Sequence, residues 1–549
     1  MRNEDPVVAA PPRTRLAPKV LGDLVGGYVV ESRQPLPASV LWEIQRTFYD
    51  MRGGDAWASG SVPHHITCNP AIARGYAHAV LGFARDCRAN GALPPGSVLR
   101  ILEVGGGSGR FAGLLLRCVV DLMAASSLSD VQVRYILTDF SDERLRQLRD
   151  HPGLAEEQRS GMLRLVRLDA ADPATSPAAS EEVGLDPGDL PGPVVVVANY
   201  VLDSLAQECV ALRDREALRG LLTTTSPRRI DGPVQPADLD GLEFSWDFDS
   251  TGLLDALDPA LEDVLCDYRA TLDDTILLLP TAALDCLRAL CRERETPTMA
   301  LLADKGTTRR RDLLGLGPPG LALHGGCFSL MVNFDALAGV VERWGGLALH
   351  PPDRATNLVV AAYLLPGRGG SPGVGWPETS LAYGDHLGTA GPDDWFLVHS
   401  MVGEPELNPS MEQALALLRI SRWDPAVFLR LAPTLLELAP HVPEVLRADV
   451  VRAMRAVWEA YIPIGEDAEV ATLIGLMLGG MRCNVDALAF FDLAIAEHGR
   501  SANALFGSAL AWADLGDRSA AERAAAAALE VDPSLGAARA LLVTLAEEA

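Results

Sequence analysis

The stretch Ile101–Phe111, ILEVGGGSGRF, constrains this chain more than any other. It places an acid, Glu103, at the end of an apolar run and directly before the turn Gly105-Gly106-Gly107-Ser108-Gly109. Such a turn needs glycine, because a Cβ would hold a nucleoside away from the backbone, and the helix that follows offers unpaired N–H groups at its start. A dinucleotide turn wants Gly-x-Gly-x-x-Gly, but counted from Gly105 its last position falls on Arg110. The run reads instead as Glu-x-Gly-x-Gly-x-Gly.

Around this turn, short apolar runs alternate with amphipathic helical stretches: VLRILEV, VRYILTD, MLRLVRLD, PVVVVAN and TMALLADK. Strands apolar on both faces predict a parallel sheet with helices on each side. FDALAGVVERWGG predicts a further helix, and GGLALH and NLVVAAYLL two closing strands, so the sheet domain spans 97–365. Residues 206–297, between the fourth and fifth strands, exceed what one crossover helix requires and predict a substrate-side insertion. A shorter insertion carries Arg309, Arg310 and Arg311, which either grip an acidic group or are simply solvated.

A length of 549 residues, at roughly 150 per domain, implies three or four domains. Residues 1–18, rich in Pro, Arg and Ala, predict a disordered tail, and 19–96 a helical N-terminal extension or lid, with one helix over Ser39–Met51 and another capped by Asn69. The Gly- and Pro-rich stretch 366–378 predicts a linker, and 379–549 is Ala- and Leu-rich helix. Its last part repeats at about 34 residues, pairing Gly475 with Ala509, Leu478 with Trp512, Ala487 with Ala521 and Phe491 with Ala525. These units resemble tetratricopeptide repeats, with Gly516 at the inter-helix turn.

Charge and cysteine usage narrow the partners. Lys and Arg number 47 against 73 Asp and Glu, and a net charge of -26 repels a phosphate backbone. Nucleic acid is therefore not an expected partner. The nine cysteines are scattered without a Cys-x-x-Cys pair, so no metal is expected, and no apolar run suggests a signal peptide or membrane span. Together these predict a cytoplasmic protein.

The Gly-rich segment resembles the first motif of class I S-adenosylmethionine-dependent methyltransferases. Asn199-Tyr200-Val201-Leu202-Asp203-Ser204-Leu205 resembles the Asn-Glu-x-x-Asp-Ala-Leu-Pro signature of the MidA-like family, the mitochondrial complex I assembly methyltransferases and their bacterial relatives. CFSLMVNFDALAGVVERWGG and the lead-in HHITCNPAIARGYA are similar to that family as well, so the resemblance covers about residues 40–365. It implies an α/β fold with a Rossmann-like sheet of seven strands, the last antiparallel, and S-adenosylmethionine as cofactor. The family's motif acid falls on Tyr200 and its proline on Ala206. Some relatives methylate protein arginine, which benefits from carboxylates that orient the guanidinium, and the change at Tyr200 puts that specificity in doubt.

Cofactor-binding candidates are Glu103, Gly105, Gly107 and Gly109 of the turn, Asp139, Phe140, Asp169 and Asn199. Asp139 ends the second strand, where a carboxylate accepts from both ribose hydroxyls, and Phe140 beside it is placed to stack on adenine. Asp169 ends the third strand, where the resemblance puts a carboxylate near the adenine amino group. Asn199, Tyr200, Asp203 and His65 are the catalytic candidates. Asp203 serves as base or orienting group, with Glu208 further along. Tyr200 either hydrogen-bonds a substrate amine or packs, and His64 and His65 are either a base or exposed loop residues. Asp304 and Lys305 either line the crevice or pair with each other.

Three functions follow. The first is methyl transfer to an N or O nucleophile on a peptide or protein held with help of the helical repeats. The second is the same chemistry on a small molecule enclosed by the insertion, the helical part serving as scaffold or homodimer contact. The third is a catalytically silent cofactor-binding adaptor.

Overall fold

In a computed structural model, the described residues are 27–53, 66–173, 190–250, 257–352, 358–368, 375–402, 404, 407–465 and 468–547. The tail 1–18 and both His64 and His65 lie outside them. The chain opens with strand β1 (Tyr28–Pro35) and helices α1 (Leu41–Arg52) and α2 (Pro70–Ala89). It then alternates β2 (Val98–Val104), α3 (Arg110–Ala124), β3 (Gln132–Asp139), α4 (Asp142–Arg149), β4 (Leu163–Arg167) and β5 (Val194–Asn199). Next come β6 (Glu208–Arg213), β7 (Glu216–Ser226), β8 (Glu243–Asp249), α5 (Pro259–Thr271), β9 (Thr275–Leu279) and β10 (Thr298–Thr307). The sheet region ends with β11 (Ala322–His324), β12 (Cys327–Ser329), β13 (Val332–Asn333), α6 (Phe334–Arg343), β14 (Leu347–Leu349) and β15 (Leu358–Leu365).

The main sheet runs β14-β15-β10-β5-β2-β3-β4, with β13 added beside β10 as an eighth strand. Its centre is parallel, and β15 is antiparallel to both of its neighbours. Alternate residues feed two cores, as the two-residue period of a strand requires: Leu99 and Ile101 point to the α2/α3 side, Leu102 and Val104 to the α5/α6 side. From β2 the chain winds outward through β3 and β4, then returns to place β5 on the other flank of β2. The carboxyl ends of β2 and β5 therefore diverge, and a crevice opens at that switch point.

The N-terminal extension is not all helical. Strand β1 pairs antiparallel with β7, almost two hundred residues later, and joins the five-stranded sheet β1-β7-β6-β9 with β8 that the 206–297 insertion builds. Nothing local in YVVESRQP announces this, because the partner that satisfies its backbone is supplied by the insertion.

The stretch 366–378 does not simply separate two bodies. Trp376 is buried against Phe83 of α2, ring centroids 5.6 Å apart, and helix α7 (Pro377–Tyr383) lies along α2, its first turn held by Asp86, which accepts from Thr379 N at 2.9 Å and Thr379 Oγ1 at 2.7 Å. Farther on, Ile462 enters the core of the main sheet, and its carbonyl accepts from Arg110 Nε at 2.7 Å. The C-terminal helices thus brace the first turn of α3. Within them, Val470–Gly480 pairs with Asn484–His498 and Ala502–Asp514 with Arg518–Val531. Gly475 and Gly507 both abut Phe491, and left-handed residues at Arg482 and Gly516 end the first helix of each pair, about 34 residues apart. No helix among the described residues is long and apolar enough to cross a membrane.

Candidate active site

The crevice is a cavity of about 450 Å³ at the carboxyl ends of β2, β3 and β5. The Gly-rich turn forms its floor. Gly106 N donates to Thr138 O at 2.7 Å, tying the turn to β3. Gly105 has φ +67°, and a Cβ there would meet Val201 Cγ2 at 2.9 Å; at Gly106 it would meet Leu137 Cδ1 at 2.1 Å. The backbone can lie this close to strand and ligand only without side chains. Gly107 lines the cavity, and its carbonyl accepts from Arg144 Nε. Gly109, φ +78°, is the N-cap residue of α3; it packs under Leu148 and Leu154 and is absent from the cavity wall.

Acids end three strands on one side. Glu103 accepts from Tyr135 Oη at 2.7 Å, and burial pushes its carboxyl up to about 8, so it is neutral at pH 7. Asp139 accepts from Ser141 N at 3.0 Å; burial raises it to about 6, against the backbone donor and the nearby Arg144 guanidinium. Phe140 and Asp169 complete this side, and Asp169 Oδ1 accepts from Ala171 N at 3.0 Å.

The opposite side is built differently. Asn199 ends β5, and its Oδ1 accepts from Tyr76 Oη at 2.8 Å while its buried Nδ2 has no partner among the described residues. Tyr200 follows at φ +56°, a left-handed conformation costly for a bulky residue, fixed by its N–H donating to Ala303 O at 2.8 Å. Its hydroxyl is turned toward Thr67, is buried without a hydrogen-bond partner in that geometry, and is pushed up by burial.

Asp203 does not reach the cavity. It is buried behind the wall against Asp304: its N–H donates to Asp304 Oδ2 at 3.0 Å, and its Oδ1 accepts from Ser204 Oγ at 3.0 Å. Two buried carboxyls in contact cannot both ionise, and burial together with the charge of Asp203 holds Asp304 well above the usual range. Ser204, bonded to Asp203, is the group that presents this pair to the cavity. Neither of the sequence expectations for Asp304, crevice wall or partner of Lys305, describes it. Glu208 is likewise absent from the wall; it is buried and bridges to Arg219 at 2.6 Å.

The arginine cluster is also absent from the wall: Arg309 bridges to Asp312 at 2.5 Å, and Arg310 sits 3.4 Å from Asp335 and over the ring of Tyr268. His65 lies outside the described residues. Sequence reasoning missed the contribution of α1, whose Trp42, Gln45, Arg46 and Tyr49 form part of the wall. Their one-face spacing is a signal visible in the sequence, but not which surface that face meets. Among the described residues no group of three or more His, Cys, Asp or Glu side chains is arranged to hold a metal ion.

No family model matches the chain, and no curated protein matches it. Among solved structures, the chain is similar to an uncharacterized protein from Burkholderia thailandensis, at 17% identity over 62% of this chain and 88% of that one, TM-score 0.38. It is also similar to a member of the same superfamily from Burkholderia thailandensis, described as a "likely methyl transferase" and bound to S-adenosyl-homocysteine, at 15% identity over 62% of this chain and 96% of that one, TM-score 0.35. Likeness at this level carries no weight for the chemistry, which rests on the site itself.

Proposed function

We propose that this chain is an S-adenosylmethionine-dependent methyltransferase acting on an N or O nucleophile. The observation that carries the reading is the convergence on one cavity of a side-chain-free turn after β2, a carboxylate at the end of β3, and, at the end of β5, the buried Asn199 Nδ2, which has no partner among the described residues. Unpaired buried polar groups are costly, and they persist where a ligand supplies the missing partner. In this reading Gly105 and Gly107 admit the nucleoside to the backbone, and Asp139 accepts from the ribose hydroxyls. Asn199 Nδ2 donates to a polar group of the cofactor or acceptor. When bound, the cofactor supplies a methyl group already activated by a positively charged sulfur. The protein's part is then orientation and exclusion of water, worth several orders of magnitude by itself. In the same reading Tyr200 Oη hydrogen-bonds the acceptor.

The acceptor is a peptide or protein, or a small molecule. Among the described residues the wall runs from Pro37 to Ala206, so neither the C-terminal helices nor the 206–297 insertion beyond its first residue lines the cavity, and the expected enclosure of a small acceptor by that insertion finds no support there. Calorimetric titration with S-adenosylmethionine tests the reading. Binding in the parent chain that falls roughly ten- to a hundredfold in Asp139→Ala, the worth of hydrogen bonds to a charged group, is the expected outcome. No binding to the parent would refute it, and binding without turnover against peptides, proteins and metabolites would favour the silent adaptor.

A further inference from the structure

Helix α1 belongs to neither strand end nor turn, yet it touches both sides of the cavity. Trp42, Gln45, Arg46 and Tyr49 line it at the i, i+3, i+4, i+7 spacing of one helical face. Gln45 holds the acceptor side: its Nε2 donates to Phe328 O at 2.7 Å and to Ser204 Oγ at 3.1 Å, and its Oε1 accepts from Phe328 N at 2.9 Å. Arg46, the next residue, turns the other way. Its guanidinium is 2.6 Å from Asp169 Oδ2 and lies over the ring of Phe140, 4.7 Å from the centroid.

We infer that Arg46 is a cofactor-binding residue, forming the outer wall of the adenosine end and fastening α1 over the bound nucleoside. The inference rests on the methyltransferase reading above. Two features of the geometry support it. With Arg46 in place the cavity still measures about 450 Å³, inside the roughly 300–1,000 Å³ of small-ligand pockets, so the guanidinium walls the space and does not fill it. One of its amino groups pairs with Asp169, and a planar fork that lies over Phe140 at the cavity wall has the N–H donors and the flat shape that complement purine ring nitrogens and a purine ring. The side chain is also 45% exposed, so its surface is open to a ligand.

The test uses the full-length chain and S-adenosyl-homocysteine, with affinity from calorimetry and release rate from stopped-flow competition. Arg46→Ala should bind about tenfold more weakly, mostly through faster release, as expected for loss of a stacked, charge-assisted contact. Arg46→Lys keeps the charge but loses the planar fork and should recover only part of the affinity. Asp169→Ala added to Arg46→Ala should cost less than the two single losses combined, since Asp169 acts partly by holding Arg46. Arg46→Ala binding within about twofold of the parent, or more tightly, would overturn the inference while leaving the cofactor reading intact. A parent chain that does not bind the probe at all would overturn the cofactor reading, and this inference with it.

Discussion

On the cofactor side of the cavity the three acids already have partners: Tyr135 donates to Glu103, the Ser141 amide to Asp139, and Arg46 and the Ala171 amide engage Asp169. On the acceptor side Asn199 Nδ2 and Tyr200 Oη, the latter turned toward Thr67, have no partner of full hydrogen-bond geometry among the described residues, Tyr200 is held in a left-handed conformation, and the nearby acids Asp203 and Glu208 are turned inward to Asp304 and Arg219. The first side is a finished mould, fixed before any ligand arrives. The second carries a cost, about 1–3 kcal/mol for each buried group left unpaired, which a bound ligand would relieve. Neither Asp203 nor Glu208 is part of the cavity wall, so neither offers its carboxylate to a guanidinium there.

The strongest challenge to this contrast is Gly106→Ala. The new Cβ would sit 2.1 Å from Leu137 Cδ1 and push the turn off β3. Cofactor binding should be abolished and stability should fall by about 1–3 kcal/mol, the usual cost of overpacking. Calorimetry and chemical denaturation read the two effects, and wild-type affinity in this variant would show that the turn is no mould.

A smaller effect comes from pH. Ribose hydroxyls donate to the ionised Asp139, whose carboxyl is raised to about 6 in the free protein. Affinity for S-adenosylmethionine should therefore be level with respect to this group above about pH 7 and decline below pH 6, approaching tenfold per unit as the proton competes. Asp139→Asn should bind more weakly at neutral pH and lose that decline. A parent profile flat from pH 7 to 5 would remove Asp139 from the ribose.

The smallest effect sharpens the other side. Tyr200→Phe deletes a buried hydroxyl that has no partner of full hydrogen-bond geometry among the described residues, so stability should rise by about 1 kcal/mol while cofactor affinity stays unchanged. A drop in stability would mean that the hydroxyl is satisfied in solution and the acceptor side is as finished as the cofactor side.

Much of the crevice was legible because its signals are local. Glycines after an apolar run, and acids at strand ends, announce their roles within a few residues, and the cavity gathers Glu103, Gly105, Gly107, Asp139, Phe140, Asp169, Asn199 and Tyr200. Asp203 misled because a motif position fixes where a residue sits in the chain and says nothing of which way its side chain points. Here Asp304, a hundred residues later, turns it away from the cavity. Strand β1 and the inward face of α1 were hidden for the same reason, their partners being β7, Phe328 and Asp169.

The sequence by itself determined the α/β alternation, the Gly-rich turn and the helical C-terminal part, since periodicity and backbone conformational preference act over short distances. Only the tertiary structure decided which acids face the cavity, that α1 closes it, and that Ile462 braces the helix behind the turn. Those outcomes depend on burial and hydrogen-bond pairing between segments hundreds of residues apart, and these exist only once the chain has packed.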